Sequence, residues 1–293
     1  MYKESIGGRI FVILNTIFIL LVIVTTILPF ILVVNGSIVS ETEFFRTGGV
    51  ILIPSSFSLD NYRFIFNEGS VLSSFLVSVK RLVIGVPFAM LLTIILAYAM
   101  TKKDMPGHGA LMVFLIFMMY FDGGMVPRLV LYKDIGLYNS FWVYVLPMGI
   151  SVFNALLLRN FIQTIPESLS ESARLDGASE STILFRIILP LSKPGIATIA
   201  LFVAVSHWND WFTGIAYMKQ VMGALPMQSY LRKMMTLGQL DLMAMGNMQN
   251  MITPPPETLK MASIVATTVP IVIVYPFIQK YFVKGILIGS VKG

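Results

Sequence analysis

The side chains that could do chemistry in this chain are few and fall in three places. Glu167, Glu171, Arg174 and Asp176 share one short polar stretch, Lys80 and Arg81 interrupt an apolar run, and His207, Trp208, Asn209 and Asp210 stand in HWNDWF. None of these has the make-up of a catalytic centre. A phosphate cradle needs G-x-x-x-x-G-K-[ST], whose amides and lysine surround the anion, and the sequence has no Gly-Lys dipeptide. Cysteine is absent, and the two histidines, His108 and His207, are far from ligand spacing, which removes thiolate and paired-imidazole sites. The motifs G-x-S-x-G and H-E-x-x-H are missing as well. No catalytic residue, metal site or cofactor is expected on this chain, so any work must come from a partner. What remains is charge placed for docking, and charge placed where a solute crosses.

The elements that position these residues belong to a membrane. Of 293 residues 56% are hydrophobic and 12% charged, with a mean hydropathy of +0.81, where soluble domains are about a quarter charged. Lys and Arg exceed Asp and Glu by 21 to 15. That excess suits anionic headgroups and implies no nucleic acid. Counted against the roughly 20 residues that cross a bilayer, the uncharged runs predict an all-α, polytopic protein, one transmembrane domain over 1–293. It has six helices at about 10–34, 71–101, 109–131 (uncharged only to residue 121), 135–160, 187–208 and 261–283. The first run is too long for a signal peptide and has no small-residue cleavage site. Lys3 and Arg9 before it, Lys102 and Lys103 after the second, and Lys280, Lys284 and Lys292 at the end put both termini inside. Two segments then face outward, about 41–70 and 209–260.

The polar stretch at about 164–188 faces the cytoplasm on this reading. Pro166 suits a helix first turn, Glu167 and Glu171 favour its positive end, and Gly177 is placed to end it in a left-handed cap. Ser179 can cap a second short helix, with Ile183, Leu184 and Ile187 on one face before Pro190. Leu169, Ala173 and Leu175 among charged residues make a compact knob for a groove on another protein.

At these residues the chain resembles a known family. Glu171, Ala173 and Gly177, then Ile187, Leu189 and Pro190, match the EAA signature E-A-A-x3-G-x9-I-x-L-P of ABC importer permeases at the correct spacing, with Ser172 where the pattern has Ala. Asp176, Ala178, the run from Leu189 to Pro194, WND at 208–210 and the ending YPFIQKYFVKGILIGSVKG are similar to the carbohydrate-uptake branch. The resemblance covers nearly the whole chain. It implies a MetI-like fold in a bacterial cytoplasmic membrane, a second and different permease as partner, a homodimer of ATPase subunits that hold ATP and Mg, and an extracytoplasmic solute-binding protein. The EAA loop is then the coupling helix seated in the ATPase, a role that passes here to Glu171, Ala173, Asp176, Gly177 and Ala178. The FxGGMVP stretch and the YPFIQKYFVKG ending resemble permeases for complex oligosaccharides, including uronate polymers such as alginate and pectin fragments.

Lys80 and Arg81 either line the solute path or snorkel to headgroups. Basic groups there, with Arg128 and Lys133, favour an acidic oligosaccharide, although Asp122 and Asp134 lie beside the latter two. Trp208, Asn209 and Asp210 have the aromatic and polar make-up of a sugar site, but the plainer reading is an interfacial anchor followed by a helix cap. Nine of the 19 methionines lie between Met218 and Met251, an adaptable surface expected to dock a partner. The alternatives are a secondary transporter, a membrane-embedded glycan enzyme, or an importer of neutral oligosaccharides. The first two would need intramembrane carboxylates, and the uncharged runs hold none.

Overall fold

Long uncharged runs become helices because, in lipid, every backbone amide must bond within its own segment. The computed structural model of the chain describes residues 6–67, 69–219, 224–244 and 257–290, and regular structure among them is helical throughout. By internal contacts the chain forms two units, Met1–Gly69 with Met234–Pro270, and Ser70–Lys233 with Ile271–Gly293.

In the first unit, α1 (Ile6–Ser37) has no buried residue in its most apolar window. Its last turns are fastened to the rest of the unit. Asn35 Nδ2 donates to the carbonyls of Ile51 (3.0 Å) and Leu52 (2.8 Å), and the Ser37 hydroxyl bonds that of Tyr62 at 2.7 Å. Two short helices follow, α2 (Glu41–Arg46) and α3 (Asp60–Asn67). Between them the buried Glu43 accepts the amides of Ser55 and Ser56 and the Ser56 hydroxyl. Those bonds, the Ser56 hydroxyl foremost, hold its carboxyl below the usual carboxylate range.

The second unit is organised by α4 (Ser70–Ala99), which packs along α7 (Val152–Ile162) and α11 (Lys193–Asn209). Its buried face carries Ser74, Ser78, Arg81, Gly85, Ala89, Thr93 and Ala97, small residues about four apart apart from Arg81. Without a water-driven force between helices in lipid, close backbone approach along such a stripe supplies the contact. Gly85 shows how close: a Cβ there would lie 2.6 Å from the His207 ring.

Among the described residues, Gly7–Ser37 and Ser70–Ala99 are long and apolar enough to cross a membrane, or four segments if two bent helix pairs each count as one. The first two expected spans are met by α1 and α4, and the sixth lies within α14 (Glu257–Ser290). The other three differ from simple rods. The third divides into α5 (His108–Tyr120) and α6 (Met125–Asp134), which meet at 112°. Gly124 takes φ +85° there, and the Asp122 carboxylate accepts its amide. The fourth begins as irregular chain, with Gly136 and Asn139 at positive φ and a 3-10 turn at Phe141–Tyr144, and becomes α-helical only in the 11 residues of α7.

The fifth is entered through α8 (Glu167–Leu175) and α9 (Glu180–Ile183). A π-turn over Leu184–Ile188 follows, then α10 (Leu189–Leu191), and an 84° bend before α11. Pro190 cannot donate a backbone bond, and the preceding turn is wound wide, the Leu189 amide reaching the carbonyl of Leu184. Two further helices are α12 (Phe212–Tyr217) and α13 (Met227–Ala244).

Replacing Gly85 by Val should force the imidazole of His207 aside and lower the thermal midpoint of the purified protein, since overpacking of this kind costs ~1–3 kcal/mol. An unchanged midpoint would show that α4 and α11 are not in tight contact at this level.

Candidate functional site

The coupling-loop candidates form one local structure. α8 ends in a paired capping motif: the Gly177 amide donates to Arg174 O (3.0 Å) and the Ala178 amide to Ala173 O (2.9 Å), with Gly177 at φ +83°. These are the two bonds of a Schellman cap, and the apolar contact that accompanies such a cap is supplied by Ala173 and Ala178, both packed against the core of Ala97, Ile162, Ile183 and Leu184. The Ser179 hydroxyl then accepts the Thr182 amide at the start of α9. Ala173 and Ala178 thus face inward, whereas Glu171, Asp176 and Gly177 are exposed and Leu175 is 89% exposed. An apolar side chain left so open between carboxylates is shaped to enter a partner's groove.

A second set of residues rivets this loop to α4. Glu180 Oε2 accepts the Tyr98 hydroxyl (2.5 Å) and Lys102 Nζ (2.7 Å), while Oε1 accepts Arg174 Nε (2.9 Å). Lys102 also lies 4.4 Å over the Tyr98 ring. Exposed ion pairs are individually weak, but one carboxylate serving three donors on three segments forms a network. Lys102 first, then Tyr98, hold the Glu180 carboxyl down at about 2 from its ordinary 4.5. Sequence reasoning missed Tyr98, Lys102 and Glu180. The one available signal was that Lys102 directly follows the predicted helix whose last turn holds Tyr98.

Of the solute-path candidates, Arg81 and Asp210 come together and Lys80 stands apart. The Arg81 side chain is fully buried. Its Nη2 pairs with Asp210 Oδ2 at 2.5 Å, Nη1 donates to Asp210 O (3.1 Å), Nε donates to His207 Nδ1 (3.2 Å), and Nη2 also reaches Met148 Sδ (2.9 Å). Tyr144 covers the guanidinium plane 5.0 Å away. Asp210 uses its other oxygen to accept the amides of Phe212 (3.1 Å) and Thr213 (3.2 Å), capping α12. Arg81 is therefore a braced structural charge and does not snorkel. Lys80 is exposed, with its ammonium 4.4 Å from the Phe141 centroid. Trp208 packs edge-to-face on Phe75 (6.3 Å) and Asn209 is exposed at the end of α11. His207 is buried against Arg81. Arg128 is paired with Asp122 at 2.7 Å, so the FDGGMVP bend carries no free excess of charge from that pair.

The methionine-rich stretch is only partly the exposed surface expected. Met227 and Met234 are buried, Met235 is exposed, and Met222, Met245, Met248 and Met251 lie outside the described residues.

Residues 61–288 match the family described as the binding-protein-dependent transport system inner membrane component. The chain belongs to that family of ABC transporter permeases, with its MetI-like fold. It is 43% identical over 286 residues to the polygalacturonan/rhamnogalacturonan transport system permease protein YtcP of Bacillus subtilis (strain 168), covering 98% of this chain and 99% of that protein. Protein LplC of the same organism is 41% identical over 287 residues, covering 98% and 96%. Among solved structures, a bacterial ABC transporter involved in the import of the acidic polysaccharide alginate matches with a TM-score of 0.84 and 29% identity, covering 96% of this chain and 100% of that one.

Two outcomes follow from the charges. Arg81→Met should destabilise the protein by about 3–5 kcal/mol, the usual consequence of stranding one partner of a buried pair. Adding Asp210→Asn should restore most of the loss; equal midpoints for single and double variants would show that the pair is not coupled. Because folding depresses the Glu180 carboxyl, its stabilisation of the loop is fully present above about pH 4.5 and is lost as pH falls towards about 2. Proteolytic protection of the loop, measured as wild type minus Glu180→Gln, should follow that window, and a difference independent of pH would count against the network.

Proposed function

We propose that this chain is one of two different permease subunits of an ATP-driven importer that takes up acidic oligosaccharides of the pectin or alginate kind across the bacterial cytoplasmic membrane. Its helices, counted as six crossings with both termini inside, form the path together with the second permease. An extracytoplasmic solute-binding protein delivers the sugar, and a homodimeric ABC ATPase binds ATP and Mg and closes on hydrolysable nucleotide. The loop at 164–188 takes up that motion, with Glu171, Asp176 and Gly177 outward against the ATPase and Ala173 and Ala178 inward against the permease core.

The observation that carries this reading is the knob itself: a Schellman-capped helix with Leu175 presented outward and Glu180 tying the following helix to α4. A secondary transporter needs a free carboxylate within the membrane to carry the coupling ion, and Asp210, the carboxylate at the end of α11, is committed to Arg81 and to the α12 cap. The substrate class rests on the relatives, whose names carry pectin-type polysaccharides and alginate. Local charge adds Lys80 on the path; Arg81 and Asp210 brace the wall behind it, with Trp208 and Asn209 beside them.

The test is uptake of labelled trigalacturonate by vesicles holding the whole importer. Inactivating the P-loop lysine of the partner ATPase should abolish uptake. Gly177→Pro, which imposes φ near −65° where the chain needs a left-handed residue, should reduce uptake at least tenfold while the chain still co-purifies with its partner permease. Uptake that survives either change would refute the ATPase-coupled reading.

A further inference from the structure

Behind the Arg81 brace, α4, α11, the start of α7 and the segment that leads into it line an open-mouthed cavity of about 270 Å³. We propose that it is a binding site for a single sugar ring, read through its hydroxyls, on the path of the oligosaccharide; this rests on the transport reading above. Its size lies just below the ~300–1,000 Å³ of ordinary ligand pockets, enough for one ring and too little for an oligosaccharide. Ile150 and Ser206 stand exposed at its mouth, and Ala89, Thr93, Val203 and His207 are buried at its floor.

Among the described residues, two floor groups have no partner. Thr93 Oγ1 and His207 Nε2 are both buried and unbonded, although buried polar atoms are nearly always satisfied. The tautomer of His207 follows from its other nitrogen: Nδ1 accepts from Arg81 Nε, so the neutral ring carries its hydrogen on Nε2 and offers a donor. Thr93 can donate or accept. Ser151, Asn154 and Ser206 add hydroxyl and amide groups around them. The neighbouring cation is not available to a ligand, because Arg81 directs its guanidinium to Asp210, His207 and Met148. The cavity therefore presents several neutral donors and acceptors beside the small apolar faces of Ala89 and Val203, which complements ring hydroxyls and C–H groups and gives a carboxylate no counter-charge. Carboxylates of an acidic oligosaccharide would be met elsewhere on the path, and the ring inserted here would be recognised by shape and hydroxyl pattern.

The experiment uses the complete importer in vesicles, with saturating solute-binding protein loaded with trigalacturonate, and compares wild type with Thr93→Val, Thr93→Ser and Ala89→Leu. Losing the hydroxyl in Thr93→Val should lower the uptake rate about fivefold, the scale of one hydrogen bond. Thr93→Ser, which keeps the oxygen, should stay near wild type, and Ala89→Leu, which fills the floor, should nearly abolish uptake; co-purification with the partner permease reports assembly in each case. Wild-type rates in Thr93→Val and Ala89→Leu would mean that the cavity holds only water and would overturn the proposal. So would a Thr93→Ser variant as impaired as Thr93→Val, which points to packing alone. Absence of uptake by the wild-type importer would refute the pectin-type reading itself and this proposal with it.

Discussion

One ionised side chain sets the terms for the second unit. A guanidinium inside a membrane helix costs about 2.5–3.5 kcal/mol on insertion scales unless protein or water meets it. Here protein meets it on every side: Asp210 supplies the counter-charge and a carbonyl, His207 an imidazole nitrogen, Met148 a thioether and Tyr144 a ring face. Satisfying so many directional contacts at once fixes α4 against the end of α11 in translation and rotation. Packing alone could not, because one apolar surface exchanges for another at little gain in lipid. The small residues below Arg81 are the corollary. With the charge seated, Gly85 must let the His207 ring pass, and beyond the cavity floored by Ala89 and Thr93 the helix closes again into the core at Ala97.

The same helix reaches the polar loop at its other end. From Arg81 to Tyr98 is 17 residues, about 26 Å of helix at 1.5 Å per residue, and α4 continues unbroken through Pro87. Glu180 binds Tyr98 and Lys102 at that end together with Arg174 of α8. A rigid element anchored at both ends by oriented polar contacts is one physical means by which two sites that far apart can be coupled.

How much of this could be read from sequence depends on range. The bend after α8 is written locally: Gly177 and Ser179 are the residues a Schellman cap and an N-cap require, and both are found in those roles. Hydropathy identified the long helices α1 and α4, because a run without charge has no other stable form in lipid. At 109–131, 135–160 and 187–208 it gave no sign of the bends and irregular turns, since averaging over a window hides the local chemistry of positions such as Gly124, Gly136 and Asn139. At Arg81 the sequence exposed the problem but not its answer. The solution, Asp210, is 129 residues away, and no local pattern encodes a contact of that kind. Glu180 escaped notice for the same reason, being 82 residues from Tyr98.

The first helix carries the opposite kind of constraint. Along most of its length no side chain of α1 is buried against the described residues, so this chain's own packing selects no side-chain shape there, and partition between water and lipid favours apolar types in general. Asn35, Gly36 and Ser37 are different: Asn35 faces Ile51 and Leu52, Gly36 faces Met261, and Ser37 faces Tyr62. Tolerance to replacement should therefore change abruptly within a single turn, from a stretch that behaves like solvent-matched filler to three adjacent positions that behave like a lock.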